Sequence, residues 1–210
     1  MGRKSRRRGL SLYYYGEEFI MTQSRQELLD KYPLHMYPNR KWETLQEKEK
    51  GIRILLDIHD IFMEANLSFW PFWGTLLGLY RNHDLIDWDG DTDIAILGED
   101  WDKLISLESK FIQKGYDEFG LGGTDLVTIY KDGEHCDIYV FKEGFYGQRE
   151  YGVFKIDGRI FYGSETVFWK DRYWSLIKNP VDVLKYIYGD DWMIPKKEFE
   201  YAYEKREKYI

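Results

Sequence analysis

Five aspartates, Asp84, Asp87, Asp89, Asp91 and Asp93, fall within ten residues and lead directly into the apolar run Ile94-Ala95-Ile96-Leu97. An all-apolar run of β-formers belongs inside a sheet, whereas carboxylates belong in water. A chain carrying both side by side must bring a buried strand out of the core at the point where the acids begin. Asp89, Asp91 and Asp93 are spaced by two, so on extended backbone all three point to one face. Two carboxylates ~4 Å apart repel by about 4 kcal/mol at an effective dielectric near 20. Such a cluster needs a counterion, and a divalent cation is the natural one. All-oxygen ligands favour Mg²⁺, Mn²⁺ or Ca²⁺ over zinc.

Asp137 repeats the pattern. It interrupts the otherwise apolar stretch Cys136-Asp137-Ile138-Tyr139-Val140-Phe141, where a carboxylate is unfavourable unless a shared cation, a buried hydrogen bond or an ion pair accounts for it. Gly74-Thr75 follows an aromatic run. The glycine allows a phosphate close to the backbone, and a helix starting near Leu76 would offer free N–H groups; a plain strand-to-helix turn explains the pair equally well. A solvated acidic turn is one alternative for the cluster as a whole. A calcium loop is another, but the pattern needs Gly at position 6 and Glu at position 12. Counted from Asp87 those places hold Thr92 and Gly98, and counted from Asp89 they hold Ile94 and Asp100.

Along the chain, residues 1–40 read as an arm, with a basic start (Arg3, Lys4, Arg6, Arg7, Arg8), a short helix near Arg25–Lys31 and a Pro33…Pro38 stretch. Residues 41–210 read as one domain. Glu43–Ala65 has the apolar stripe Ile54, Leu55, Ile58, Ile61, Phe62, Ala65 of an amphipathic helix, with Asn66 as its end signal. Leu67–Trp73 reads as a strand, Leu76–Tyr80 as a short helix, Asp91–Leu97 as a strand and Asp102–Lys114 as a helix ended by Gly115. Two Asp-Gly pairs, Asp132-Gly133 and Asp157-Gly158, predict hairpins joining Leu126–Lys131 to Glu134–Phe141 and Val153–Ile156 to Arg159–Tyr162. Asn179-Pro180 predicts an N-cap and first turn for a helix through Tyr188, ended by Gly189, and Lys196–Ile210 is expected to be helical.

The chain of 210 residues carries a net charge of −7 even with its basic start, so the remainder is more acidic still. That balance disfavours broad binding to nucleic acid, although the arm keeps an RNA or membrane-surface contact open. The lone Cys136 excludes an internal disulfide. The absence of a signal-peptide pattern and of a ~20-residue apolar stretch leads us to expect no membrane span and a cytoplasmic location.

The run from Phe72 to Ile94, with Gly74-Thr75-Leu76-Leu77-Gly78, Arg81 and Trp88-Asp89-Gly90-Asp91-Thr92-Asp93, resembles the signature of the LicD/fukutin-related family. Cys136-Asp137-Ile138-Tyr139 and Tyr188-Gly189-Asp190-Asp191-Trp192-Met193-Ile194-Pro195 extend the likeness, in matching order, over about residues 45–195. The resemblance implies an α+β fold, a nucleotidyltransferase-like mixed β-sheet flanked by helices. It implies an enzyme that moves a phospho-substituent, phosphocholine or ribitol phosphate in relatives, from a CDP-activated donor to a glycan or teichoic-acid-like acceptor. By carry-over, Asp89, Asp91, Asp93 and Asp137 would hold two Mg²⁺ or Mn²⁺ ions, and Gly74 and Thr75 would face the donor phosphates. The family's usual Pro before the Trp-Asp run is Asp87 here, which joins the metal shell or faces solvent.

Among neighbouring residues, Arg81 has the planar fork that suits a phosphate, and an ion pair suits it as well. Asp137 or a metal-bound oxygen is the expected proton acceptor. His83 reads as a turn residue, Cys136 as core, and His135 is expected on the strand face opposite Asp137. Trp70, Trp73 and Trp88 read first as packing. Addition of a nucleotide to a protein, RNA or small molecule, and a non-catalytic nucleotide-binding module, are the competing functions.

Overall fold

A computed structural model describes residues 41–121, 125–163 and 165–196. The N-terminal arm and the helix expected beyond Lys196 lie outside the described residues.

Helix α1 (Leu45–Glu64) begins at a capping box: Thr44 Oγ1 accepts from the Glu47 N–H, and Glu47 Oε2 accepts from the Thr44 N–H. Its stripe Ile54, Leu55, Ile58, Ile61 and Phe62 is buried as the spacing predicts, each side chain contributing roughly 1.5–3 kcal/mol. Asn66, at φ 51°, turns the chain out of the helix.

The expected strand Leu67–Trp73 shrinks to β1 (Trp70–Pro71). Pro71 has no N–H to extend a ladder, and Phe72 N–H is the next group to reach the neighbouring strand, at Asp93 O. Helix α2 starts earlier than expected and runs Trp73–Asn82, so Gly74 and Thr75 lie in its first turn rather than before it. Strand β2 (Thr92–Leu97) is buried along its whole length. The single helix expected over Asp102–Lys114 is two, α3 (Trp101–Ser106) and α4 (Glu108–Gln113), divided where Leu107 N–H reaches back only to Leu104 O.

Strands β3 (Glu118–Leu121), β4 (Leu126–Lys131) and β5 (Glu134–Glu143) follow. Asp132-Gly133 makes the β4–β5 hairpin as predicted, both residues having positive φ. Asp157-Gly158 does not make the second. Gly158 opens a 3₁₀ turn whose first free N–H, on Arg159, is accepted by the Asp157 carboxylate. The hairpin instead joins β6 (Gln148–Tyr151) to β7 (Phe154–Asp157) through Gly152-Val153, with Gly152 at φ 55°. A further hairpin, β8 (Glu165–Trp169) with β9 (Arg172–Leu176), turns at Lys170-Asp171, both at positive φ without a glycine to announce it. Helix α5 (Pro180–Tyr188) has Pro at its start and Gly189 past its end as predicted; Asn179 takes the cap position in a left-handed conformation, with no side-chain cap bond.

The main sheet runs β1-β2-β5-β4-β3, with β6 and β7 continuing from β5. Among the described residues of this sheet, only β2 and β5 pair in parallel; the other pairs are antiparallel. This is the mixed α+β sheet the resemblance implies. Alternation splits the core. Ile94, Ile96, Ile138 and Val140 face the cluster holding α1, Leu104 and Phe111, while Ala95, Leu97 and Phe141 face the one holding α2 and α5. Among the described residues, no helix is long and apolar enough to cross a membrane.

Candidate active site

The β2–β5 register decides what meets what. Asp93 pairs with Asp137 and Thr92 with Cys136. Alternation then puts Asp93 and Asp137 on the same face as Ala95 and Leu97, the face that α2 covers. Asp91, two residues upstream of Asp93, lies over that face just before β2 begins. Asp89 closes the group from the loop, its Oδ2 lying 2.3 Å from where a β-carbon on Gly74 would be. The four predicted acids thus converge on the start of β2.

The first turn of α2 is built around them. Gly74 N–H donates to Asp93 Oδ2 at 3.2 Å, and Thr75 Oγ1 accepts from the Asp93 N–H at 2.8 Å. Gly74 is needed because Asp89 occupies the volume of any side chain there. Thr75 is buried and fixes the backbone of Asp93. Both residues expected to face a donor phosphate are therefore also the frame of the acid cluster. Asp137 accepts from Thr128 Oγ1 at 2.6 Å across the β4–β5 pair.

Removal from water raises the pKa of each acid, and crowding adds to it for three of them. Asp93 is pushed well above the ordinary carboxylate value, first by burial and then by Asp91, Asp89 and Asp137, with the Gly74 N–H opposing. Asp89 is raised to about 7, by burial and then by Asp91. Burial lifts Asp91 to about 6 although His135 pulls it down, and lifts Asp137 to about 6 against the Thr128 hydroxyl. Without added positive charge, this cluster holds protons near neutrality. A cation would displace them, and the oxygen-rich donor set fits a hard divalent ion.

Asp84 and Asp87 do not join the group. Lys48 Nζ, buried on α1, reaches Asp84 Oδ2 at 2.9 Å, Asp87 Oδ1 at 2.6 Å and the Leu85 carbonyl at 2.8 Å. Asp87 stays mostly exposed beside that ammonium, so the departure from the family's usual Pro serves an ion pair.

His135 corrects the expectation that it faces away. Residues two apart on a strand share a face, so His135 lies on the Asp137 side, with Nε2 3.7 Å from Asp91 Oδ2. One ligand atom each from Asp91, His135 and Asp137 all lie within 4.8 Å of one another. One residue lies on another face than expected, and two with roles in or beside the site, Thr128 and Lys48, are not signalled as such in the sequence. The two-residue spacing signals His135. The two-residue hairpin fixes Thr128 opposite Asp137. Lys48, far away in the chain, has no local signal.

Arg81 sits in the last turn of α2. Its Nε donates to Asn82 Oδ1 and its NH1 to the Trp192 carbonyl at 3.1 Å. Trp192 also packs on Tyr80, so the Gly189–Pro195 stretch docks against α2. Trp70 and Trp73 are buried, and Trp88 Nε1 donates to Lys196 O. His83 terminates α2 in a left-handed turn, and Cys136 is a buried free thiol.

The sequence model described as LicD/FKTN/FKRP, nucleotidyltransferase domain, matches residues 66–179, more than half of the chain. An uncharacterized protein of Rickettsia prowazekii (strain Madrid E), RP689, is 36% identical over 64 residues, 30% of this chain and 24% of that protein. An uncharacterized protein of Rickettsia typhi (strain ATCC VR-144 / Wilmington), RT0683, is 32% identical over 90 residues, 42% of this chain and 28% of that protein. The aligned part thus spans about a quarter of these relatives. Among solved structures, the lincomycin-bound lincosamide antibiotic adenylyltransferase LnuA superposes with a TM-score of 0.44 at 18% identity, over 63% of this chain and 83% of that one. The antibiotic-resistance factor ANT(2'')-Ia superposes with a TM-score of 0.46 at 17% identity, over 62% of this chain and 66% of that one. The matched span 66–179 contains α2, the acid cluster and the parallel pairing that assembles it, and by that match the chain belongs to the LicD/FKTN/FKRP family, with that family's nucleotidyltransferase domain as its described core.

Proposed function

We propose that this transferase moves a phospho-substituent, phosphocholine, ribitol phosphate or a similar group, from a CDP-activated donor to a hydroxyl of a glycan or teichoic-acid-like acceptor. The observation carrying this reading is the rung Asp93↔Asp137, joined on one face by Asp89 and Asp91 and covered by the first turn of α2. Asp89, Asp91, Asp93 and Asp137 would hold Mg²⁺ or Mn²⁺. When bound, such ions neutralise the donor diphosphate and the leaving nucleotide and make the acceptor hydroxyl more acidic.

The chain's own groups do the rest. Gly74 keeps the approach to the acids open, because nothing larger fits beside Asp89. Thr75 and the Gly74 N–H hold Asp93 in place, and the first-turn N–H groups of α2 add a favourable field for anionic oxygens. Asp137, oriented by Thr128, is the proposed acceptor of the hydroxyl proton. Arg81 stands seven residues, about 10 Å, along α2 from Gly74, so it would meet the far part of an extended donor.

The test is a thermal-shift panel of CDP-choline, CDP-ribitol, CDP-glycerol, CTP and ATP with and without Mn²⁺, using Asp91→Asn as control. A ligand at 100 times its Kd stabilises by about 2.7 kcal/mol. A metal-dependent shift with one CDP-alcohol, absent in the variant, supports the reading and identifies the donor. A shift with CTP or ATP alone turns it into nucleotide addition, and binding without turnover into a non-catalytic module.

A further inference from the structure

We propose that His135 is a nitrogen ligand of the metal site, which makes the site selective for a first-row transition ion such as Mn²⁺ over Mg²⁺. This inference rests on the metal-dependent reading of the same acids.

Three observations carry it. First, the fold aims His135 at the site: it lies two residues before Asp137 on β5, on the face that the parallel register sets beside Asp91 and Asp93. Second, His135 is almost fully buried there. Third, its Nε2 stands 3.7 Å from Asp91 Oδ2. That exceeds the length of an ordinary N–H···O bond, about 2.7–3.2 Å, but two atoms bound to one ion at ~2.1 Å each stand between about 3 and 4.2 Å apart. With Asp137 included, the three ligand atoms fall within 4.8 Å, so side-chain adjustments of roughly half an ångström bring them to a common ion.

The donor set then sorts the metals. Mg²⁺ takes oxygen and keeps its water; an imidazole in its place is a poor exchange. Mn²⁺, Co²⁺ and Zn²⁺ accept imidazole alongside carboxylate. One nitrogen among carboxylates therefore separates Mn²⁺ from Mg²⁺ without excluding Mg²⁺. An imidazolium that only neutralised Asp91 would put no nitrogen next to the ion.

Pulsed EPR on the full chain loaded with Mn²⁺ separates these cases, because a directly bound imidazole gives ¹⁴N modulation of the electron spin echo. We expect ¹⁴N modulation in the natural protein, its loss in His135→Gln, and a fall in Mn²⁺ affinity of at least about tenfold, with Mg²⁺ affinity, read by competition, changing much less. Circular dichroism of the variant checks that it folds; the measurement on the natural protein needs no variant. Mn²⁺ bound without ¹⁴N modulation overturns the inference and leaves the metal-dependent reading standing. No Mn²⁺ binding overturns both.

Discussion

Gly74→Ala isolates the acid cluster from the rest of the fold. The added β-carbon would lie 2.3 Å from Asp89 Oδ2 and 3.3 Å from its carboxyl carbon, with Asp93 Oδ2 at 3.5 Å. Relief requires the Asp89 carboxylate to withdraw by about 1 Å, and a misplacement of that size near reacting groups costs on the order of 10²-fold. Stability should move the other way. Asp89 ends a short side chain that swings without dragging backbone, and replacing Gly by Ala in a helix contributes up to ~1 kcal/mol. Gly78→Ala, one turn along α2, is the counterpart, because its β-carbon would meet the Asp84 carbonyl at 2.7 Å and Ile86 N at 3.1 Å, both backbone. It should cost about 1–3 kcal/mol, a fall in Tm of several degrees. Mn²⁺ titration by EPR together with differential scanning fluorimetry separates the two. For Gly74→Ala we expect an unchanged or higher Tm with Mn²⁺ affinity reduced about tenfold or more, as when the support of a metal ligand is lost. Unchanged Mn²⁺ affinity in a folded Gly74→Ala protein would refute the argument that Asp89 must sit against that glycine.

Three further outcomes are expected. Metal-free protein should lose stability as pH rises from about 4 to 7: Asp89, with a pKa raised to about 7, and Asp91 and Asp137, raised to about 6, keep protons in the fold that the unfolded chain releases near 3.8. The Tm should fall by on the order of 5–10 °C across that window, Mn²⁺ should restore it at the upper end, and a metal-free Tm that rises from pH 5 to 7.5 contradicts the assignment. Lys48→Met removes the buried ammonium between Asp84 and Asp87; both acids are partly exposed, so the loss should be about 1–2 kcal/mol, seen in urea melts. Thr128→Val deletes the donor to Asp137 Oδ1 and should weaken Mn²⁺ binding about tenfold while leaving Tm within about 2 °C, read by calorimetric titration.

Where local chemistry determines structure, the sequence was readable. The stripe of α1 and the Asp132-Gly133 turn lead to what is observed, whereas only Asp93 of the three spaced aspartates lies on a strand and Asp89 joins from the loop. Element limits moved where a tertiary contact outweighed the local signal. Phe72 N–H bonds to Asp93 O, so α2 starts at Trp73 and carries Gly74-Thr75 into the site. Asp157 caps its own turn, which moves the second hairpin to Gly152-Val153. His135 departs from its expected face because residues two apart on a strand share one, which puts it with Asp137. The Lys48 clamp spans 36 and 39 residues to Asp84 and Asp87, and nothing near any of the three announces it.

The rung Asp93↔Asp137 also bears on how the chain reaches its native state. Parallel pairing of β2 with β5 joins segments 44 residues apart, a closure that intrinsically slows folding. The pair of like charges in that ladder must approach as it zips, whereas a slip by one residue would part them and turn the apolar side chains of β5 to the wrong face. Charge repulsion and hydrophobic alternation thus pull on the same step in opposite directions, and the barrier to zipping rises with ionisation of the acids. A divalent cation in the refolding buffer relieves the conflict at that step, so it should speed refolding at neutral pH as well as slow unfolding.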